Sequence, residues 1–296
     1  MNFKPRGIIP PIITPFTEEG KLNEPVFRKM INHLIEQGVH GIFPLGTTGE
    51  FYVFSLEEAK YVLQVAVEEA AGRVPVYAGA NHITTKGTID LVKVAEEVGA
   101  DAVSVLTPMF ISQTQEEIYD HYVKIAASTK LPIIIYNNKP KTNVTVEPAT
   151  IAKLAEIDNI VGVKDSTGDF TNTEEYIRLT RHIENFSVLL GRDTLIYAGL
   201  CYGATGAIAS CANIAPRITA DIYDKYIAGD LEGALEAQFT LAPLRIATNI
   251  ATFPSVIKEG LNQLGFNVGK CIEPISEMKP DQKDKLRQVL TDMKLI

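Results

Sequence analysis

A chain of 296 residues, 46% of them hydrophobic and with a net charge of -8, is long enough to bury a large core without disulfides or a structural metal. The acidic balance argues against a nucleic-acid or anionic-membrane partner, because phosphates attract basic surfaces. Cys201, Cys211 and Cys271 form no CxxC pair and are expected to be small buried thiols in a reducing compartment. The N-terminus carries no signal-peptide apolar region, and no uncharged apolar stretch approaches the ~20 residues that cross a bilayer, so a cytoplasmic location is expected.

Short apolar, β-branched runs recur along the chain. Strands are expected at 8–16, 41–46, 75–80, 102–108, 132–137, 160–166, 187–193 and 206–213, their starts falling 19 to 34 residues apart. The intervening segments have helical spacing. Val26, Met30, Ile31, Leu34 and Ile35 form one stripe before Gly38, and Leu91, Val92, Ala95 and Val98 form another before Gly99. Ser55 with Glu58, and Thr171 with Glu174, fit capping boxes. Eight strand–helix alternations without a GxGxxG after the first strand predict a closed (β/α)8 TIM barrel over residues 1–229. Residues 230–296 are too long for one final helix and predict a helical extension packed on the barrel, with breaks at Pro254, Pro274 and Pro280.

Barrel active sites lie at the C-terminal ends of the strands, so those ends carry the candidates. After the second strand come Gly46-Thr47-Thr48-Gly49-Glu50, where two glycines permit a sharp turn and hydroxyls and N–H groups could converge on a carboxylate; an ordinary turn in which Glu50 caps a helix is the alternative. Tyr136, at the end of the fifth strand, is either a proton carrier or a packed tyrosine. Lys164, inside the apolar sixth strand, is the most informative residue. Burial would favour its neutral, nucleophilic amine and hence imine formation with a carbonyl, unless it is a structural lysine paired with Asp165 or Glu50. The five histidines are scattered with no ligand spacing, so no metal is expected.

These three strand ends, with Gly7-Ile8-Ile9-Pro10-Pro11, Thr14-Pro15-Phe16, Thr107-Pro108 and Gly203-Ala204-Thr205-Gly206-Ala207-Ile208, resemble the dihydrodipicolinate synthase / N-acetylneuraminate lyase superfamily over nearly the whole chain. The resemblance implies a pyruvate imine on Lys164, proton transfer by Tyr136 with Thr47, and a carboxylate site at Thr48 and the Gly46 turn. It also implies a homotetramer or homodimer in which the segment after Thr107-Pro108 reaches a neighbouring site, with no cofactor beyond the covalent imine. Two positions depart from the synthase pattern. Phe110 replaces the reaching tyrosine, and Lys141 replaces the arginine that binds the second substrate, keeping the charge but losing the bidentate fork.

Asp193 and Ser210, with Ser166 and Ile208, fall where lyases of the superfamily bind substrate. The reading reached from sequence is therefore a Schiff-base lyase that cleaves a 2-oxo-3-deoxy sugar acid to pyruvate and an aldehyde. The alternatives are the synthase, which condenses pyruvate with aspartate semialdehyde; a dehydratase sharing the imine; and a degenerate sensor that binds a 2-oxo acid without turnover. A phosphate-binding barrel isomerase is disfavoured, since the last two strand ends lack paired glycines.

Overall fold

The computed structural model describes residues 3–296. Among them, seven parallel strands form one sheet: β1 (Gly7–Ile8), β2 (Tyr77–Gly79), β3 (Ala102–Leu106), β4 (Ile133–Asn137), β5 (Ile160–Asp165), β6 (Ser187–Leu190) and β7 (Gly206–Ala207). Their order is β1-β7-β6-β5-β4-β3-β2, which leaves a gap between β1 and β2. Residues 41–46 fill it. The N–H groups of His40 and Phe43 donate to Ile8 O and Pro10 O, while Ile42 N–H donates to Pro75 O and Tyr77 N–H to Ile42 O. The sheet closes on itself as the expected (β/α)8 barrel.

Most expected strands are shorter than their sequence suggests: 75–80, 102–108, 187–193 and 206–213 reduce to β2, β3, β6 and β7, with 210–213 forming a short 3-10 turn, and the first two runs depart further. Residues 41–46 make only an isolated parallel bridge, Ile42 with Val76, and the strand expected over 8–16 ends at Ile8. Pro10, Pro11 and Pro44 interrupt both runs, because proline has no N–H to give a ladder. The barrel interior nevertheless receives one residue from each of its eight staves: Ile9, Phe43, Tyr77, Ala102, Ile134, Val161, Leu189 and Ile208 pack as one cluster.

The barrel helices are α1 (Glu24–Glu36), α2 (Leu56–Ala70), α3 (Thr85–Glu97), α4 (Gln115–Ala126), α5 (Lys139–Thr142), α6 (Pro148–Leu154), α7 (Phe170–Thr180), α8 (Ile196–Tyr202) and α9 (Pro216–Ile227). Phe27, Met30, Ile31 and Leu34 of α1 turn inward, and Ser55 and Glu58 open α2 with the expected reciprocal cap. The second box does not form. Helix α7 starts one residue before Thr171, and Asp169 caps it by accepting from the Thr171 N–H.

Three further helices follow: α10 (Leu231–Ala247), α11 (Ser255–Gln263) and α12 (Pro280–Asp292). Pro254 caps α11 and Pro280 opens α12, as expected of proline at helix starts. Leu241, Leu244, Val256, Ile257 and Leu261 share one core with Leu190, Ile196 and Ile214, so the extension is packed on the β6–α9 side of the barrel. Cys211 and Cys271 are buried, but Cys201 is exposed rather than buried. No helix among the described residues is long and apolar enough to cross a membrane.

Candidate active site

Strands β4 and β5 pair in register, Tyr136 opposite Lys164. A β-bulge decides which way the lysine points. The register shifts between Ile133 and Ile134, whose partners are Ile160 and Gly162, so β5 carries one extra residue. Ile160 and Val163 therefore pack outward against the helices while Val161 faces the barrel interior. Lys164 follows on the inner side, beside Tyr136. Gly162 is needed at the bulge, since a Cβ there would meet Ser187 O at 2.6 Å.

Lys164 Nζ lies 3.9 Å above the Tyr136 ring centroid and 5.2 Å from that of Phe43. Neither structural partner expected for it is available. Asp165 accepts from Thr173 Oγ1 at 2.7 Å and Asn172 Nδ2 at 3.1 Å, and Glu50 pairs with Lys258 at 2.7 Å. Burial pushes the Lys164 pKa below that of an ordinary lysine, against the pull of Tyr136 and Asp193. Burial would raise the Tyr136 phenol, but the Lys164 charge and hydrogen bonds from Thr47 and Asn138 outweigh it, leaving the pKa lowered. Tyr136 Oη is 3.3 Å from Thr47 Oγ1 and accepts from Asn138 Nδ2 at 2.8 Å.

The turn bearing Thr47 and Thr48 is shaped differently from the sequence expectation. Its left-handed residues are Leu45 and Glu50, with φ of 57° and 54°, not Gly46 or Gly49. The glycines serve close approach. A Cβ on Gly49 would meet Ile12 O at 2.9 Å, and one on Gly46 the Phe43 ring at 3.0 Å. Each left-handed residue costs roughly 1–3 kcal/mol, which surrounding bonds must offset. Thr14 Oγ1 donates to Gly49 O at 2.8 Å and Asn81 Nδ2 to Leu45 O at 3.0 Å.

These groups open into a cavity of about 260 Å³ lined by Thr47, Thr48, Tyr136, Lys141, Lys164, Ser166, Asp193, Ile208 and Ser210. Gly46, expected at the carboxylate site, does not line this cavity. Phe110 lies elsewhere, 89% exposed with a φ of 79°. A larger cavity of about 510 Å³ contains neither Lys164 nor Tyr136 and is lined by α11 with residues 16–18 and 269–271. Arg192 of the Gly191-Arg192-Asp193 turn also lines the cavity, as do Asn138, Arg245, Thr248, Asn249 and Phe253, to which sequence reasoning assigned no role. Arg245 comes from the last turn of α10 and Thr248, Asn249 and Phe253 from the connection to α11, where no local motif marks them.

Asp193 is engaged within the protein. Its Oδ1 accepts from Cys211 N–H at 2.8 Å, and its Oδ2 lies 3.3 Å from Ser210 Oγ and 3.7 Å from Arg245 Nε. Arg192 donates from Nε to Ser166 O at 3.2 Å. Ser166 Oγ has no partner among the described residues and is pressed against Gly191, where a Cβ would meet it at 1.9 Å.

A parallel (β/α)8 barrel with a desolvated lysine beside a tyrosine at its C-terminal end is the design of a class I, pyruvate-dependent aldolase or lyase. The comparisons agree: residues 4–293 match the dihydrodipicolinate synthetase family, and the chain belongs to it. It is 38% identical over 298 residues to a 4-hydroxy-tetrahydrodipicolinate synthase of Methanopyrus kandleri, covering 100% of this chain and 99% of that one. Dihydrodipicolinate synthase of Thermotoga maritima superposes with a TM-score of 0.95 at 33% identity, covering 98% and 99% of the two chains. YagE of Escherichia coli, a member of the same family solved in complex with pyruvate, gives a TM-score of 0.95 at 30% identity over 98% and 99%.

Proposed function

We propose that Lys164 forms an imine with pyruvate, which then condenses with aspartate semialdehyde as in 4-hydroxy-tetrahydrodipicolinate synthesis. The observation that carries this reading is the buried Lys164 amine held 3.9 Å above the ring of its register partner, Tyr136. The amine adds to the keto carbon of pyruvate, and water leaves to give the iminium. Loss of a methyl proton yields an enamine, whose carbon attacks the aldehyde carbonyl. Tyr136, linked to Thr47, carries protons to and from these intermediates, and the Thr47-Thr48 turn holds the pyruvate carboxylate.

Two features favour condensation over the sugar-acid cleavage expected from sequence. Full-length relatives bear the synthase name. The cavity also presents Lys141 and Arg192 to the carboxylate of a second substrate, while Asp193, the carboxylate that was to bind sugar hydroxyls, is engaged by Cys211, Ser210 and Arg245. No cofactor beyond the imine enters this scheme. The proposed assembly is a homotetramer or homodimer, with Phe110 and Ile111, 89% and 64% exposed, at the contact; sedimentation velocity tests it. A cytoplasmic location accords with the three free cysteines.

The deciding experiment supplies pyruvate with aspartate semialdehyde, and separately a panel of 2-oxo-3-deoxy sugar acids. Efficient condensation with slow cleavage supports the synthase, and the reverse result restores the lyase.

A further inference from the structure

The C-terminal extension reaches the back of the carboxylate-binding turn through one buried ion pair. Lys258 of α11 is 1% exposed, Glu50 is fully buried, and Nζ stands 2.7 Å from Oε1. The same ammonium donates to Lys270 O at 2.9 Å and lies 4.0 Å above the Phe16 ring. The other carboxylate oxygen of Glu50 accepts the Ile272 N–H at 2.9 Å. Glu50 is itself a left-handed residue of the turn, and its N–H donates to Thr47 O at 3.3 Å. The chain of contacts thus runs from α11 and residues 270–272, through the Glu50 side chain and backbone, to Thr47.

Burying two charges is costly, and an apolar pair of similar volume often serves stability as well. Stability alone is therefore a weak account of this pair. A strained turn that must present Thr47 and Thr48 in one arrangement gives a better one. We infer that Lys258 is a positioning residue for the pyruvate site, holding the Thr47-Thr48 turn in its binding shape through Glu50. Lys258 touches no substrate; it acts across the wall between the extension and the active-site cavity. By linkage, pyruvate bound at the turn must in return tighten the contacts of residues 270–272.

Three variants separate positioning from stability: Lys258→Met, Glu50→Gln and the double variant. Each is followed by thermal unfolding and by calorimetric binding of pyruvate at a temperature where it is folded. Each single change leaves a buried charge without its partner and lowers Tm, whereas the double leaves no charge unpaired and recovers part of it. Pyruvate binding is expected to weaken about 5- to 150-fold in both singles, the usual range of coupling between sites, and to stay weak in the double. Recovery of pyruvate affinity together with Tm, or unchanged affinity in a single variant, would overturn the inference. Amide exchange in the wild type gives an independent check that needs no variant. The Ile272 N–H is expected to exchange more slowly with pyruvate bound, and an unchanged rate counts against coupling. Calorimetry does not depend on the imine. A wild type that binds pyruvate but is not trapped by borohydride refutes the Schiff-base reading and leaves this test intact.

Discussion

Tyr136 and Lys164 are register partners on adjacent parallel strands, and they share the barrel interior because one bulge at Gly162 shifts the alternation of β5. The amine is thereby placed in a dry site, where burial lowers its pKa. Only the neutral amine attacks a carbonyl, so imine formation should rise with pH through this lowered pKa and level off below the ordinary lysine value of about 10.4. Borohydride trapping of pyruvate across pH checks it, with the adduct on Lys164 and lost in Lys164→Ala. An apparent pKa at the ordinary value, or an adduct on another lysine, would refute the placement.

Removing the Tyr136 hydroxyl tests the proton path. Thr47 and Asn138 both bond to that oxygen, and Phe110 supplies no hydroxyl to substitute for it. Tyr136→Phe should lower kcat by roughly 10²–10⁴-fold, the range for a positioned acid or base. Steady-state turnover near the wild-type rate would assign the proton to another group.

The bulge itself can be probed. A methyl group on Gly162 would sit 2.6 Å from Ser187 O, and the strand must move to relieve the clash. Gly162→Ala should reduce both thermal stability and the rate of imine trapping, because the displacement falls two residues from Lys164. Full trapping activity in a folded Gly162→Ala protein would show that the bulge does not aim the lysine.

The barrel and its chemistry were legible for physical reasons. Parallel strands covered by helices read as apolar runs, and a lysine inside one has few explanations. Strict alternation, however, does not place Val161 and Lys164 on the same face; Gly162 was the sign of a bulge. Residues 41–46 read as a strand because their apolar pattern outweighs Pro44 in sequence, whereas in the fold the missing N–H leaves only a bridge. Asp193 looked free to bind substrate because its partners Ser210, Cys211 and Arg245 lie 17 to 52 positions further along the chain. The α10 wall depends on how the extension docks, and no local pattern encodes that.

His121 provides a pH-dependent stability test remote from the site. It is buried, its Nδ1 lies 2.9 Å from Thr85 Oγ1, and burial, reinforced by Lys124, lowers its pKa to about 4. Between about 6.5 and about 4 the unfolded chain binds a proton that the folded chain does not, so stability falls as pH falls through that window. The full effect is roughly 3 kcal/mol, from 1.36 kcal/mol per pKa unit. Other carboxylates titrate nearby, so the measure is the difference between wild type and His121→Gln in Tm against pH. That difference should narrow as pH falls from 6.5 to 4, and parallel curves would place His121 in a solvated state.

The second substrate should read the cations of the cavity unequally. Lys141 is exposed on the short helix α5, where its charge is screened. Arg192 is half-buried, and burial together with repulsion from Arg245 lowers its pKa, so an arriving anion relieves a cost already present. Its Nε is fixed on Ser166 O, and among the described residues its two terminal nitrogens donate to no protein acceptor. A guanidinium so presented can grip a carboxylate with two parallel bonds, which an ammonium cannot. Arg192→Ala should therefore raise KM for aspartate semialdehyde by roughly 10- to 150-fold, a charged hydrogen bond being worth about 1.5–3 kcal/mol. Lys141→Ala should change it only a few-fold, and neither should alter borohydride trapping of pyruvate, which depends on Lys164. If Lys141→Ala proves the more damaging, the carboxylate lies at the mouth of the cavity, as in the synthase pattern. If neither variant affects the semialdehyde while Asp193→Asn impairs cleavage of a 2-oxo-3-deoxy acid, the cavity is built for a sugar acid.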